Sequence, residues 1–187
     1  MINNFFDAVY CINLERRADR KKLAISHFKK IGIEVEFFTA IDGSTLSNIP
    51  NGINAGEYGC ILSHRAIYKD AKNRGLEKYL ILEDDCEFHP ESSLMFSEFI
   101  KKLPNDWRLL YFGGNHNGNN PEMVTENLHR LKETYTTHCY GVNSRYFNDI
   151  IMDTSNDTRQ IDVSLSEVQK KYPCYGFMPH LAYVDFQ

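Results

Sequence analysis

Long apolar runs are missing from this chain of 187 residues. None approaches the roughly 18 residues that a membrane span needs, so no transmembrane segment is expected. The N-terminus, Met1-Ile2-Asn3-Asn4-Phe5-Phe6-Asp7, lacks the basic start and extended apolar stretch of a secretory signal. A strong excess of charge is also missing. Twenty-one basic and 25 acidic residues leave a net charge of −4, which argues against a nucleic-acid surface, because phosphates favour positive faces. The cysteines, Cys11, Cys60, Cys86, Cys139 and Cys174, are odd in number and include no C-x-x-C pair. That excludes zinc-ribbon spacing and a disulfide scaffold, and they read as reduced thiols of a cytoplasmic protein. No repeat, low-complexity tract or long linker occurs, and collagen-like and disordered classes are excluded by composition.

What the chain does have is core-forming material: 42% hydrophobic and 13% aromatic residues. At about 150 residues per domain the length predicts one domain, residues 1–187. That is enough to bury a core without disulfides or a structural metal.

Strand and helix patterns alternate. Strands are expected at Ala8 to Leu14, Val35 to Thr39, Tyr79 to Glu83 and Leu109 to Phe112, then at Leu128 to Thr134 and Thr137 to Val142. Helices are expected at Asp19 to Ile31 (Leu23, Phe28 and Ile31 inward), Glu57 to Asn73 (Ile61, Leu62, Ile67 and Ala71 inward) and Pro90 to Leu103 (Leu94, Phe99, Ile100 and Leu103 inward). A further helix is expected from a Ser144 cap to about Met152, and a last one at Ile161 to Lys171. Gly32 and Arg74-Gly75 fit helix stops, and residues 113–121 read as a long loop. The alternation predicts an α/β fold, a mostly parallel sheet flanked by helices.

In such sheets ligands sit at the carboxyl ends of the strands. Tyr79-Leu80-Ile81-Leu82 runs into Glu83-Asp84-Asp85, three adjacent carboxylates that either meet water in an acidic turn or share a cation. Hard oxygen ligands suit Mg²⁺ or Mn²⁺, and on a strand-like backbone Glu83 and Asp85 point to one side. Asn13, Arg16, Arg17 and Arg20 follow the first strand and form either a phosphate-binding cluster or a solvated basic face. Asp42, before Gly43, either accepts bonds from a ribose or base edge or makes a turn. Ser63 and His64 diverge on a helix, so a polar role at a pocket, or a structural pair, fits them better than a hydrolase triad. Asp162 is either a helix cap or a general base, His180 a metal ligand or a surface residue, and Gly141 a ligand-approach point or a bend.

Four blocks in order give a specific resemblance: INLERRADR (12–20), AIDGS (40–44), GEYGCILSHRAIY (56–68) with YLILEDD (79–85), and THCYGVNSRYFNDII (137–151). Together, over about residues 8 to 185, they resemble glycosyltransferase family 25, the lipopolysaccharide and procollagen galactosyltransferase group. The resemblance implies a single-domain GT-A-like (Rossmann-like) fold, a UDP-sugar donor (UDP-galactose), a divalent cation (Mn²⁺ or Mg²⁺), and inversion at the anomeric carbon. The acceptor it implies is a hydroxyl of a glycan or glycoprotein. It assigns Glu83 and Asp85 to the cation in a DxD-like motif, with His180 as a third ligand. Asn13, Arg17, Arg20, Asp42, Ser63, His64, Asp84 and Gly141 go to the nucleotide-sugar, and Asp162 is the base. The segment RQIDVSLSEV around Asp162 matches the family only loosely, and the chain is short for it. Two rivals stand beside this reading: a metal-dependent phosphohydrolase, and an inactive relative that binds nucleotide-sugar.

Overall fold

A computed structural model describes residues 2–116, 121–146, 150 and 158–184. Its centre is an eight-stranded sheet. In chain order the strands and helices are α1 (Ile2–Phe5), β1 (Ala8–Asn13), α2 (Ala18–Ile31), β2 (Glu36–Thr39), α3 (Ala55–Arg74), β3 (Lys78–Glu83), β4 (Cys86–Phe88), α4 (Ser92–Phe99), β5 (Leu109–Tyr111), β6 (Asn115–His116), β7 (Glu122–Thr125), β8 (Leu128–Arg130), β9 (Thr134–Tyr135), β10 (Cys139–Asn143), α5 (Ile161–Lys171), β11 (Cys174–Phe177) and β12 (Ala182–Val184). The sheet order is β2-β1-β3-β10-β5-β11-β8-β7, with small two-stranded sheets β12-β4 and β6-β9. β2, β1 and β3 are mutually parallel, as are β5 and β11; β10 and β8 run against their neighbours. The α/β class thus stands, as a mixed sheet in which two strands are reversed.

The pleat sorts the core into two layers, because successive side chains of a strand leave on opposite faces. Val9 and Cys11 of β1 with Leu80 and Leu82 of β3 pack under α1, α2 and α4, among Phe6, Phe28, Phe96 and Phe112. Ala8, Tyr10, Ile12, Tyr79 and Ile81 face the other way, onto Ile61, Ile67 and Tyr68 of α3 and Leu165 and Val168 of α5. β1 and the β3 run Tyr79–Leu82 are buried on both faces, which is why β3 reads as an unbroken apolar run.

The helix ends follow their sequence signals. Gly32 and Gly75 take the left-handed conformation, φ 69° and 68°, that favours glycine at a helix stop. Asn54 and Glu57 form a reciprocal capping box that starts α3 two residues earlier than expected.

Several expectations are corrected. Leu23 and Leu94 point to solvent, while Ala24 and Phe96 take the inward places. The helix expected from Pro90 is shorter, Ser92–Phe99, and ends in a 3-10 turn, Ile100–Lys102. The strand expected at Leu128 to Thr134 is broken into β8 and β9, which belong to different sheets. Within the expected loop 113–121, Asn115–His116 forms β6 and residues 117–120 lie outside the described residues; Gly113 and Gly114 are loop residues packed closely, a Cβ on Gly113 standing 2.0 Å from the Ala182 carbonyl oxygen and one on Gly114 2.4 Å from Thr134. Ser144 opens a 3-10 turn, Ser144–Tyr146; the expected helix beyond it lies largely outside the described residues. All five cysteines are free thiols. No helix among the described residues is long and apolar enough to cross a membrane.

Candidate active site

β3 ends where its antiparallel neighbour β10 begins: Leu82 pairs with Cys139, and the Glu83 N–H reaches the His138 carbonyl at 3.0 Å. Asp84 and Asp85 then turn the chain out of the central sheet toward β4. The three carboxylates therefore sit at the carboxyl end of a buried strand, beside the end of β1, where an α/β sheet places its ligands. They line a cleft of about 190 Å³ together with Arg16, Arg17, Arg20, Asp42, Ser63 and His64. Nine of the residues singled out from sequence share this one cleft. A second hollow of about 230 Å³ on the α2 side shares Arg17, Arg20, Asp84 and Asp85. A larger hollow of about 680 Å³ opens at the other end of the sheet, beside Lys78 and Asn143, away from the carboxylates.

The three acids have different surroundings. Asp84 is held by neutral and cationic partners: Asn13 donates at 2.6 Å and Arg20 at 2.9 Å. Asp85 accepts a longer bond from Arg20 at 3.3 Å through Oδ2, and its buried Oδ1 has no partner. Burial, with Glu83 and Asp84 beside it and only partly offset by Arg20, pushes the Asp85 carboxyl up to about 6. Glu83 accepts from the Thr137 hydroxyl at 2.5 Å and keeps 28% of its side chain exposed in the cleft. Burial works to raise its carboxyl, but His64, Thr137 and His138 outweigh it and hold it below the ordinary value.

These surroundings fit a divalent cation. An orphaned buried oxygen on Asp85, whose charge Arg20 offsets only in part, and an ionised Glu83 offer hard-oxygen ligands of the kind Mg²⁺ or Mn²⁺ takes. Asp84, already bonded twice, is the member least free to bind one.

The other expected residues divide. Asn13 is buried and spends its amide on Asp84 and on the Arg17 carbonyl, so it positions the acid from behind the cleft. Arg17 forks onto Asp19 at 2.8–3.2 Å at the cleft rim. Asp42 caps the 3-10 turn Gly43–Thr45 through Ser44 and accepts from Arg16 at 2.7 Å; Ser44 and Arg16 lower its carboxyl to about 2. Ser63 bonds the Ile41 N–H at 2.8 Å and the Gly59 carbonyl at 2.7 Å, tying the loop after β2 to α3. His64 is fully buried, with Nδ1 2.7 Å from the Tyr140 hydroxyl and its ring stacked on that tyrosine.

Besides Asn13, three expected residues lie outside the cleft lining. Asp162 does not cap α5, whose N-cap is Gln160; it stands in the first turn, where the Val163 N–H bonds it at 2.8 Å and the Thr136 N–H approaches at 3.4 Å. Its charge still acts on the Cys60 thiol across the cleft wall. Gly141 sits in mid-β10, paired with Leu80 and Leu110, and the space its side chain would fill belongs to Phe6, whose ring is 2.8 Å from an added Cβ. Its smallness serves packing. His180 meets His116 Nε2 to Nε2 at 3.1 Å, so that nitrogen is already engaged.

Sequence reasoning passed over Cys60, Thr137 and His138. Thr136 takes φ 74°, uncommon for a β-branched residue. It sends its N–H toward Asp162 and its hydroxyl to His138 at 3.1 Å, while Thr137 bonds Glu83. The signal for Cys60 was its i, i+4 spacing to His64, which places both on one helix face.

The model of glycosyltransferase family 25 (LPS biosynthesis protein) matches residues 6–152. Procollagen galactosyltransferase 2 of Mus musculus is 28% identical over 194 residues, covering 90% of this chain and 31% of that protein. "Inactive glycosyltransferase 25 family member 3" of Mus musculus is 30% identical over 66% of this chain and 24% of its own length. The chain thus spans about a quarter to a third of these relatives. In fold it is similar to a UDP-glucose pyrophosphorylase solved with UDP-glucose, at TM-score 0.50 and 12% identity, covering 91% of this chain and 89% of that one. With a family model matched over most of its length, the chain belongs to glycosyltransferase family 25.

Proposed function

We propose that the chain is an inverting glycosyltransferase that moves a hexose, galactose, from a UDP-sugar to a hydroxyl of a glycan or glycoprotein. The observation that carries this reading is the pairing of an orphaned Asp85 oxygen with Glu83 in a cleft whose rim bears Arg16, Arg17 and Arg20. A nucleoside diphosphate needs that combination of a cation site and guanidinium donors. Family membership, and relatives named as galactosyltransferases, support the reaction class and the sugar.

Glu83 and Asp85 would hold Mn²⁺ or Mg²⁺. When bound, the ion supplies positive charge against the departing diphosphate. Asn13 and Arg20 fix Asp84 and the turn that carries Asp85. Arg17, on the exposed rim, can exchange Asp19 for a phosphate. Asp162, held by the Thr136 and Val163 N–H groups, takes the proton of the acceptor hydroxyl as that oxygen attacks the anomeric carbon from the face opposite UDP.

The test is thermal stabilisation by UDP-galactose with and without Mn²⁺, followed by transfer to sugar and hydroxylysine acceptors. A ligand that binds only the folded state raises the melting temperature. Asp85→Asn is expected to abolish both Mn²⁺-dependent stabilisation and transfer. Near-normal transfer by that variant sinks the metal role. Mn²⁺-dependent UDP binding with no transfer to any acceptor favours the inactive-relative reading instead, and release of sugar without acceptor favours a hydrolase.

A further inference from the structure

The α3 wall of the cleft carries two donors that the proposed reaction does not use, Cys60 and His64, and they meet one that it does, Glu83. Cys60 Sγ, a His64 ring nitrogen and a Glu83 carboxylate oxygen lie within 4.8 Å of one another. Cys60 and His64 are one helical turn apart on α3, and Glu83 closes the trio from the end of β3.

The His64 ring is set for coordination. It is fully buried, yet its Nε2 has no hydrogen-bond partner. Nδ1 is fixed on the Tyr140 hydroxyl at 2.7 Å, which in turn contacts the Tyr68 hydroxyl at 2.7 Å. With Nδ1 held on Tyr140, Nε2 is the ring nitrogen that faces Glu83, and a cation entering there displaces any proton it carries; such outer contacts orient metal-binding imidazoles. Nε2 and Glu83 Oε1 are 3.5 Å apart without bonding each other. Two ligands of one tetrahedral ion, each about 2.0–2.3 Å from it, stand roughly 3.3–3.8 Å apart. The pair already has that spacing, and the Cys60 Sγ lies within 4.8 Å of both. Burial, together with the charges of Glu83, Asp162 and Asp85, pushes the Cys60 thiol up and keeps it protonated until a cation enters, and the same three charges draw a cation in.

The chemistry of the set selects the ion. Thiolate and imidazole favour zinc-like ions, whereas Mg²⁺ and Mn²⁺ prefer carboxylate and water. We propose that Cys60, His64 and Glu83 form a second cation site for thiophilic divalent ions such as Zn²⁺, and that an ion there withdraws Glu83 from the sugar-diphosphate cation. Binding releases the Cys60 thiol proton to solvent, and three protein ligands leave one position open to the cleft. The first half stands on the side chains alone; the competition rests on the glycosyltransferase reading.

Co²⁺ titration of the whole chain reads the site directly, because a thiolate ligand gives a near-ultraviolet charge-transfer band. The band is expected in the unmodified protein and in Asp85→Asn, is lost in Cys60→Ser, and is displaced by Zn²⁺. Calorimetry should show Zn²⁺ binding at least about tenfold weaker in Cys60→Ser. Zn²⁺ should also shield Cys60 from iodoacetamide in the unmodified protein, a readout that needs no variant. With UDP-galactose and Mn²⁺, low Zn²⁺ should inhibit transfer by the parent protein but not by Cys60→Ser. Absence of the band, or its persistence in Cys60→Ser, overturns the site. Thiolate binding without Zn²⁺ inhibition overturns the competition. Absence of any transfer overturns the galactosyltransferase reading and the competition with it, while the spectrum still decides the site.

Discussion

His27 illustrates how a single proton reaches the site's scaffold. Its Nε2 accepts the Phe88 N–H at 2.7 Å, joining α2 to the short strand that follows the acidic turn. Burial lowers its pKa, against the charge of Glu87 and helped by Lys30. A protonated Nε2 cannot accept that bond. The folded pKa lies below the unfolded value, so the stabilisation is complete above about pH 6.5 and is lost as pH falls through it toward the folded pKa. Between about pH 7.5 and pH 5.5 the parent protein should lose more stability than His27→Gln, read from urea midpoints at both pH values. Equal losses would show that His27 is not the titrating group. At this scale the sequence disclosed chemistry better than contacts. The position of Glu83-Asp84-Asp85 after an apolar strand located the acids, because that placement is local. Which of the three keeps a spare oxygen depends on Asn13 and Arg20, some 64 to 71 positions away in sequence. The same holds for Gly141, whose neighbour Phe6 comes from the start of the chain.

At the scale of elements, the cleft depends on how closely α3 approaches the loop after β2. Gly43 and Gly59 interlock there. A Cβ on Gly59 would lie 2.5 Å from the Ile41 carbonyl oxygen and 2.8 Å from the Gly43 nitrogen, both backbone atoms that cannot swing aside. Gly59→Ala should therefore push the helix from the loop, strain the Ser63 bond to Ile41 and cost about 1–3 kcal/mol by urea denaturation. Nucleotide-sugar binding should weaken with it, since Asp42 and His64 line opposite walls of that contact. An unchanged midpoint would mean that the loop yields freely. Helices with terminal signals were legible: Gly32 and Gly75 stop α2 and α3 where expected, and α5 matches its expected bounds. Of the short strands, β2 and β5 were legible and others were not. β4, β7, β11 and β12 have three or four residues each, too few for an alternating pattern to stand out. Nothing local in β10 announces that it will run antiparallel between β3 and β5.

For the whole molecule, one residue joins the central sheet to the small β12-β4 sheet. Phe112 is fully buried, and its ring lies 5.4 Å from Phe96, 5.3 Å from Phe177 and 6.2 Å from both Phe6 and Phe88. Its carbonyl accepts from the Leu181 and Ala182 N–H groups, at 2.7 and 3.2 Å. Phe112→Ala removes aromatic contacts from both sheets at once and should cost about 3–5 kcal/mol. The length predicts a single domain, and the two core layers lie against opposite faces of one sheet, so losing one layer strips the other of its support. Trp107, the only tryptophan, is buried in the α4-side layer and reports on it by fluorescence. Far-ultraviolet dichroism reports on the whole backbone, including α3 and α5 on the opposite face. In urea the two signals should change together, in the parent protein and in Phe112→Ala alike, with the variant's midpoint lower and its slope unchanged. Separate transitions would mean that the layers unfold independently and that the acidic turn is anchored by only one of them.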